Sequence, residues 1–111
     1  KLSLNEMYLA AKDMEPGSDE YNETFEIAVR MFPEDEVANL NAANTAMRLH
    51  DMKNASRYLQ KAGTSPMAVY ARGIFAALDG DLDAALALFA QAQEEGIAEA
   101  AEMISRIEEL Q

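Results

Sequence analysis

The sequence predicts an all-α fold, a solenoid of helix pairs built from seven helices. Three observations predict it. Helix start and stop signals recur along the whole chain. β-branched residues are sparse and period-two alternation is absent, so no strand competes. A pattern of large apolar and small residues returns at spacings of 30 to 34 residues, the period of stacked helix pairs.

The elements follow in order. Ser3-Leu4-Asn5-Glu6 is a capping-box pattern, predicting a first helix over about 4–14. Pro16-Gly17 breaks it and Ser18 caps a second over about 19–31, with Tyr21, Phe25, Ala28 and Val29 on one face. Phe32-Pro33 ends that helix, because the residue before proline is steered away from helical angles. Glu34-Asp35-Glu36 then places negative charge at the first turn of a third helix that runs to about His50. Asp51 caps a fourth, over about 52–62, which Gly63 stops. Ser65-Pro66 opens a fifth that Gly80 closes. Asp81 caps a sixth ending near Gly96, and the seventh runs from Ile97 or Ala98 to Leu110.

Phe25 and Ala28 recur 34 residues later as Leu59 and Ala62, and 30 residues after those as Phe89 and Ala92. Ala55 and Ala85 stand four positions before Leu59 and Phe89, while Ala43 and Ala46 match Gly73 and Ala76. Small residues let paired helices approach closely and the large one fills the space between them. These residues resemble the tetratricopeptide (TPR) repeat. Gly73 and Ala43 look like its small residue in the first helix, Gly80 like its turn glycine (His50 in the middle unit), and Pro33 like its closing proline. Ala85, Phe89 and Ala92 resemble the second-helix signature, echoed by Ala55, Leu59 and Ala62. Val69 and Ala76 depart from the bulky residue and the tyrosine the pattern expects. The resemblance implies an all-α, right-handed α-α superhelix of three helix pairs plus a C-terminal capping helix, one domain over 1–111 with units at about 4–32, 34–63 and 65–95 and the capping helix at 97–110. More loosely, the pattern resembles TPR-type domains at the C-terminal ends of exported or outer-membrane-associated proteins of Bacteroides-like bacteria, which implies a periplasmic or cell-envelope location. The chain begins at Lys1, which predicts a domain taken from a longer protein.

Composition narrows the function. Nine Lys and Arg stand against 20 Asp and Glu, a net charge of −11, so nucleic acid and anionic lipid are unfavourable partners. The basic candidates Arg48, Lys53, Arg57, Lys61 and Arg72 have Asp51 among them and no aromatic series in support. No apolar run approaches the roughly 18 residues of a membrane span. Without cysteine there is no thiolate chemistry, and His50 is the single histidine, so no cofactor or metal centre is expected. Asp79, Asp81 and Asp83 begin like a calcium loop, but Ala84 and Ala90 occupy the positions of its glycine and closing glutamate. A helix–turn–helix junction explains them better, with Asp81 as a cap. His50 reads as a polar turn residue, no strained nucleophile turn frames any serine, and the acids fall in caps and on outer faces. An enzyme is not expected.

The TPR resemblance implies that the first helix of each pair lines a concave binding face. The matching positions are Glu6, Ala10 and Asp13 in the first unit, Leu40, Asn44, Met47 and Arg48 in the second, and Tyr70, Ile74 and Ala77 in the third. Asn44 resembles an asparagine of the clamp that some TPR domains close on a terminal carboxylate, although Glu6 and Ala71 stand where basic groups belong. The expected partner is another protein, or a segment of this protein's own full-length chain, bound as a peptide or helix. The alternative is a structural scaffold or oligomerisation domain, a homodimer for example, of a larger cell-envelope protein. Met47, Tyr70 and Ile74 can equally be covered by the last helix or by an absent domain.

Overall fold

A computed structural model describes residues 3–111. Among them lie seven helices: α1 (Leu4–Lys12), α2 (Asp19–Met31), α3 (Glu36–Arg48), α4 (Met52–Leu59), α5 (Pro66–Leu78), α6 (Leu82–Glu94) and α7 (Glu99–Leu110). The chain forms two compact units, Lys1–Ala62 and Gly63–Gln111.

In the first unit, α1 packs on α2, α2 on α3, and α3 on α4. Met7, Ala28, Val29, Ala38 and Ala42 form its core, with Leu4, Phe32 and Tyr58 packed against them. Phe25 is buried beside two tyrosines: Tyr21 meets it edge-on at 4.6 Å between ring centroids and Tyr8 lies 6.1 Å away. Such aromatic pairs add about 0.5–1.5 kcal/mol beyond their burial.

In the second unit, α5 packs on α6 and α6 on α7. Its core joins Val69 and Ala76 of α5, Ala85, Phe89 and Ala92 of α6, and Ala100 and Ile107 of α7. Phe89 is fully buried, and a Cβ placed on Gly73 would come within 2.7 Å of its ring. Only glycine at 73 lets the backbone of α5 lie against that ring. The helix thus accepts a residue of poor helix propensity, at about 1 kcal/mol, to admit an aromatic whose burial contributes about 1.5–3 kcal/mol.

The turns repeat in detail. After α3, Asp51 N–H donates to the Ala46 carbonyl at 2.8 Å and His50 N–H to Met47 at 3.1 Å. Thirty residues on, Asp81 N–H donates to Ala76 at 2.9 Å and Gly80 N–H to Ala77 at 3.1 Å. Both are Schellman closures, which need a left-handed residue at the penultimate position. Gly80 has φ +83°, while His50 holds φ +58° with a side chain attached. Asp51 and Asp81 then cap the next helices, accepting from the Asn54 and Ala84 N–H groups.

The boundaries differ from expectation at several ends. α1 stops at Lys12 and α4 at Leu59, because their last turns tighten into i→i+3 bonds such as Met14 N–H to Ala11 and Lys61 N–H to Tyr58. Of the acidic triplet, only Glu36 is helical. Asp35 is the cap, accepting from Ala38 N–H at 2.8 Å, and Glu34 instead pairs with Lys61 at 3.0 Å. The capping box of α1 is half formed: Ser3 Oγ accepts from Glu6 N–H, but the Glu6 carboxylate takes the Ser3 hydroxyl rather than a backbone donor. α7 starts at Glu99 with no side-chain cap.

Candidate functional site

Two surfaces of the first unit are candidates, on different arcs of α3. Ala38, Ala42, Thr45 and Ala46 bury one side of this helix against its neighbours. Leu40 and Asn44 lie half-exposed and Arg48 exposed, at i, i+4 and i+8, so they share one row. The Asn44 amide has no bonding partner among the described residues. Arg48 sets its guanidinium 5.5 Å from the centre of the Tyr21 ring. Met47 is 6% exposed, so its side chain is withdrawn from solvent.

Glu6 and Asp13 are exposed at the two ends of α1, Glu6 held by Ser3 and Asp13 closing the helix. Between them Tyr8 donates to Asp35 at 3.4 Å. Burial, followed by the nearby Asp35 carboxylate, pushes its phenol up to about 12. In the second unit, Tyr70 and Ile74 are half-buried against the core cluster that includes Ala100 and Ile107 of α7. Tyr70 lies 5.4 Å from Phe89, and its phenol is raised by burial and then by Glu99 and Glu102 of α7. The terminal helix therefore shares in the surroundings of Tyr70.

The second surface escaped the sequence reading. On the other side of α3, a cleft of about 550 Å³ lies among α2, the start of α3 and α4, lined by Arg30, Asn39, Asn54, Arg57, Tyr58 and Lys61. A second hollow of about 510 Å³ adjoins it through the shared Glu26 and Arg30, and adds Asp19, Asn22, Glu23 and Thr45. Together they form one trough, basic at one end and acidic at the other. Arg57 is held in place there: Asn54 Nδ2 donates to Asp51 at 2.7 Å, which turns Asn54 Oδ1 toward the Arg57 guanidinium at 2.8 Å, and Arg57 lies 5.1 Å over Tyr58. Asn39 is fixed by donating to the Pro33 and Asp35 carbonyls. In sequence, Arg57 and Lys61 stand out only as members of a sparse basic patch interrupted by Asp51. Nothing local links them to Arg30, Asn22 or Thr45.

His50 is exposed in its turn, and Asp79, Asp81 and Asp83 lie exposed around the turn that Gly80 and Asp81 make. Among the described residues, no group of three or more His, Cys, Asp or Glu side chains is placed to hold a metal ion. No helix among them is long and apolar enough to cross a membrane. No family model, curated protein or solved structure matches this chain.

Proposed function

We propose that this chain is a non-enzymatic protein-interaction module of the tetratricopeptide type, engaging a peptide or helical segment of another protein, or of its own longer chain, through the first helices of its pairs. The observation that carries this reading is the row on α3. Its helix is gripped by packing on α2 and α4, yet Leu40 and Asn44, partly exposed, and Arg48, exposed, share one row that solvent reaches. A row on a packed helix loses little entropy on binding, and it combines an apolar contact, an amide with both donor and acceptor, and a charge. The TPR assignment is supported by the repeated stripe, whose members Phe25, Ala28, Ala55, Leu59, Ala62, Ala85, Phe89 and Ala92 are all buried. The noncatalytic reading is supported by the placement of His50 and the acids in turns, caps and exposed faces.

The test is affinity capture with the purified chain beside a folded Leu40→Ala/Asn44→Ala variant, with a Tyr70→Ala/Ile74→Ala variant run separately. A protein retained by the parent and lost with the first variant supports the α3 row; equal retention by both removes it. A second reading, a scaffold or homodimerisation domain, is favoured by Leu9 at 63% and Leu110 at 76% exposed. Light scattering over a range of concentrations decides it: a constant monomer mass rules out the homodimer.

A further inference from the structure

The trough between α2 and α4 has features that neither core packing nor the α3 row explains. In a chain with nine Lys and Arg, three of them, Arg30, Arg57 and Lys61, line one cleft. Lys61 spends its charge only on Glu34, in a pair whose side chains are 50% and 80% exposed, an interaction worth less than about 1 kcal/mol. Arg30 has no bonding partner among the described residues. Glu26 and Arg30 line both hollows, while at the other end Asp19 and Glu23 gather along α2. Here lie two buried polar atoms without hydrogen bonds, Asn22 Oδ1 and Thr45 Oγ1. Thr45 is only 4% exposed, and Asn22 has turned its Nδ2 to the Gly17 carbonyl at 3.4 Å, which leaves its oxygen unmatched. Each unmatched buried group costs about 1–3 kcal/mol.

The chemistry that answers this surface can be read off. Asn22 Oδ1 accepts only, so it calls for an N–H. A helical ligand has its main-chain donors already engaged, whereas an extended segment presents them. The basic end calls for a carboxylate and the acidic end for a cation. Glu23 and Arg30 are seven residues apart on one face of α2, or about 10 Å at 1.5 Å per residue. An extended segment in the polyproline II conformation, whose N–H groups are also free, covers that distance in one three-residue turn at about 3.1 Å per residue, which returns side chains three apart to the same face.

We infer that the α2–α4 trough is a second binding site, for an extended peptide segment carrying a basic and an acidic side chain three residues apart. The carboxylate sits between Arg30 and Arg57 with Lys61 beside it. The basic side chain faces Glu23 and Asp19, and a main-chain N–H beside it reaches the Asn22–Thr45 oxygens. The site is independent of the α3 row, which occupies the opposite arc of the same helix.

The test uses short end-blocked peptides with Lys and Glu three residues apart, in both orders, with a fluorescent label read by anisotropy against the purified chain. One order binds saturably, and the same peptide with Lys and Glu adjacent binds at least about tenfold more weakly, the equivalent of one lost charge-assisted contact. Arg30→Glu/Arg57→Glu abolishes that binding and gains affinity for the Lys-x-x-Lys counterpart relative to the parent, while Leu40→Ala/Asn44→Ala changes neither. If circular dichroism shows the charge-reversed variant unfolded, Arg57→Gln serves instead, with a loss of about threefold or more. No saturable binding, equal binding at both spacings, or binding unmoved by the folded arginine variants overturns the inference. Loss in Leu40→Ala/Asn44→Ala alone assigns the peptide to the α3 row and also overturns it.

Discussion

The two units hold the same helix-pair register but fill it differently. In the second, Gly73 and Phe89 interlock and the core cluster is apolar throughout. In the first, Ala43 and Leu59 stand at the matching positions, and two polar residues, Asn39 and Thr45, are buried on α3. The first unit also has a histidine in the left-handed turn where the second has glycine. One architecture thus supports a tightly interdigitated pair in one place and a polar, cleft-bearing one in another. Buried polar atoms and open troughs lower stability, and they are also what a ligand can use.

The comparison breaks most readily at Phe89. Phe89→Ala should destabilise the protein by about 3–5 kcal/mol, read as a fall in the urea midpoint with helicity monitored by circular dichroism. A loss below about 1 kcal/mol would mean that the ring is not the keystone of its pair. Gly73→Ala presses a methyl into that ring and should cost about 1–3 kcal/mol less any gain in helix propensity. Joining it to Phe89→Leu recreates the Ala43–Leu59 combination of the first unit. The double variant should then be more stable than the sum of the singles by at least about 0.5 kcal/mol. Strict additivity would show that the two residues do not fill a common space.

His50→Gly imports the second unit's turn into the first and should stabilise by up to about 1 kcal/mol, because it removes a side chain from left-handed backbone. The smallest effect is confined to alkali. Tyr8 has a folded pKa of about 12 against an ordinary 10.0, so the folded state holds its proton more tightly. The corresponding stability is fully present below pH 10 and is lost as pH climbs through about 12. Absorbance titration should show a tyrosine ionising late in the native protein, and Tyr8→Phe should remove it and flatten the loss.

Much of the helical framework was legible in sequence because capping and turn chemistry are local. Ser18, Asp51, Ser65 and Asp81 each accept from a backbone N–H three residues on, as their positions before apolar runs predict. The 30-residue offset even equated His50 with Gly80, although it did not reveal that the histidine takes up the glycine's backbone angle. Helix ends were less legible, since i→i+3 tightening at Met14 and Lys61 leaves no compositional mark. The trough was the least legible feature. Arg30, Thr45 and Arg57 come from three helices, and only packing brings them to one surface. Met47 shows the converse, because its place in the repeat marks a contact residue but the depth of its burial is set by neighbours that the repeat pattern does not name.

Asp51 and Asp81 each serve two helices at once, closing one through the backbone N–H and opening the next through the carboxylate. Neither hairpin therefore has a spare residue in its bend. A single residue inserted beside either aspartate separates the two roles, costing a cap of about 1 kcal/mol and rotating the following helix by about 100° relative to its partner. By contrast, Glu15-Pro16-Gly17 between α1 and α2 and Thr64 before α5 lie exposed outside the helices. For grafting a tag, a fluorophore or a second domain into this chain, those two connections are the permissive sites, and the two aspartate bends are the places to leave untouched.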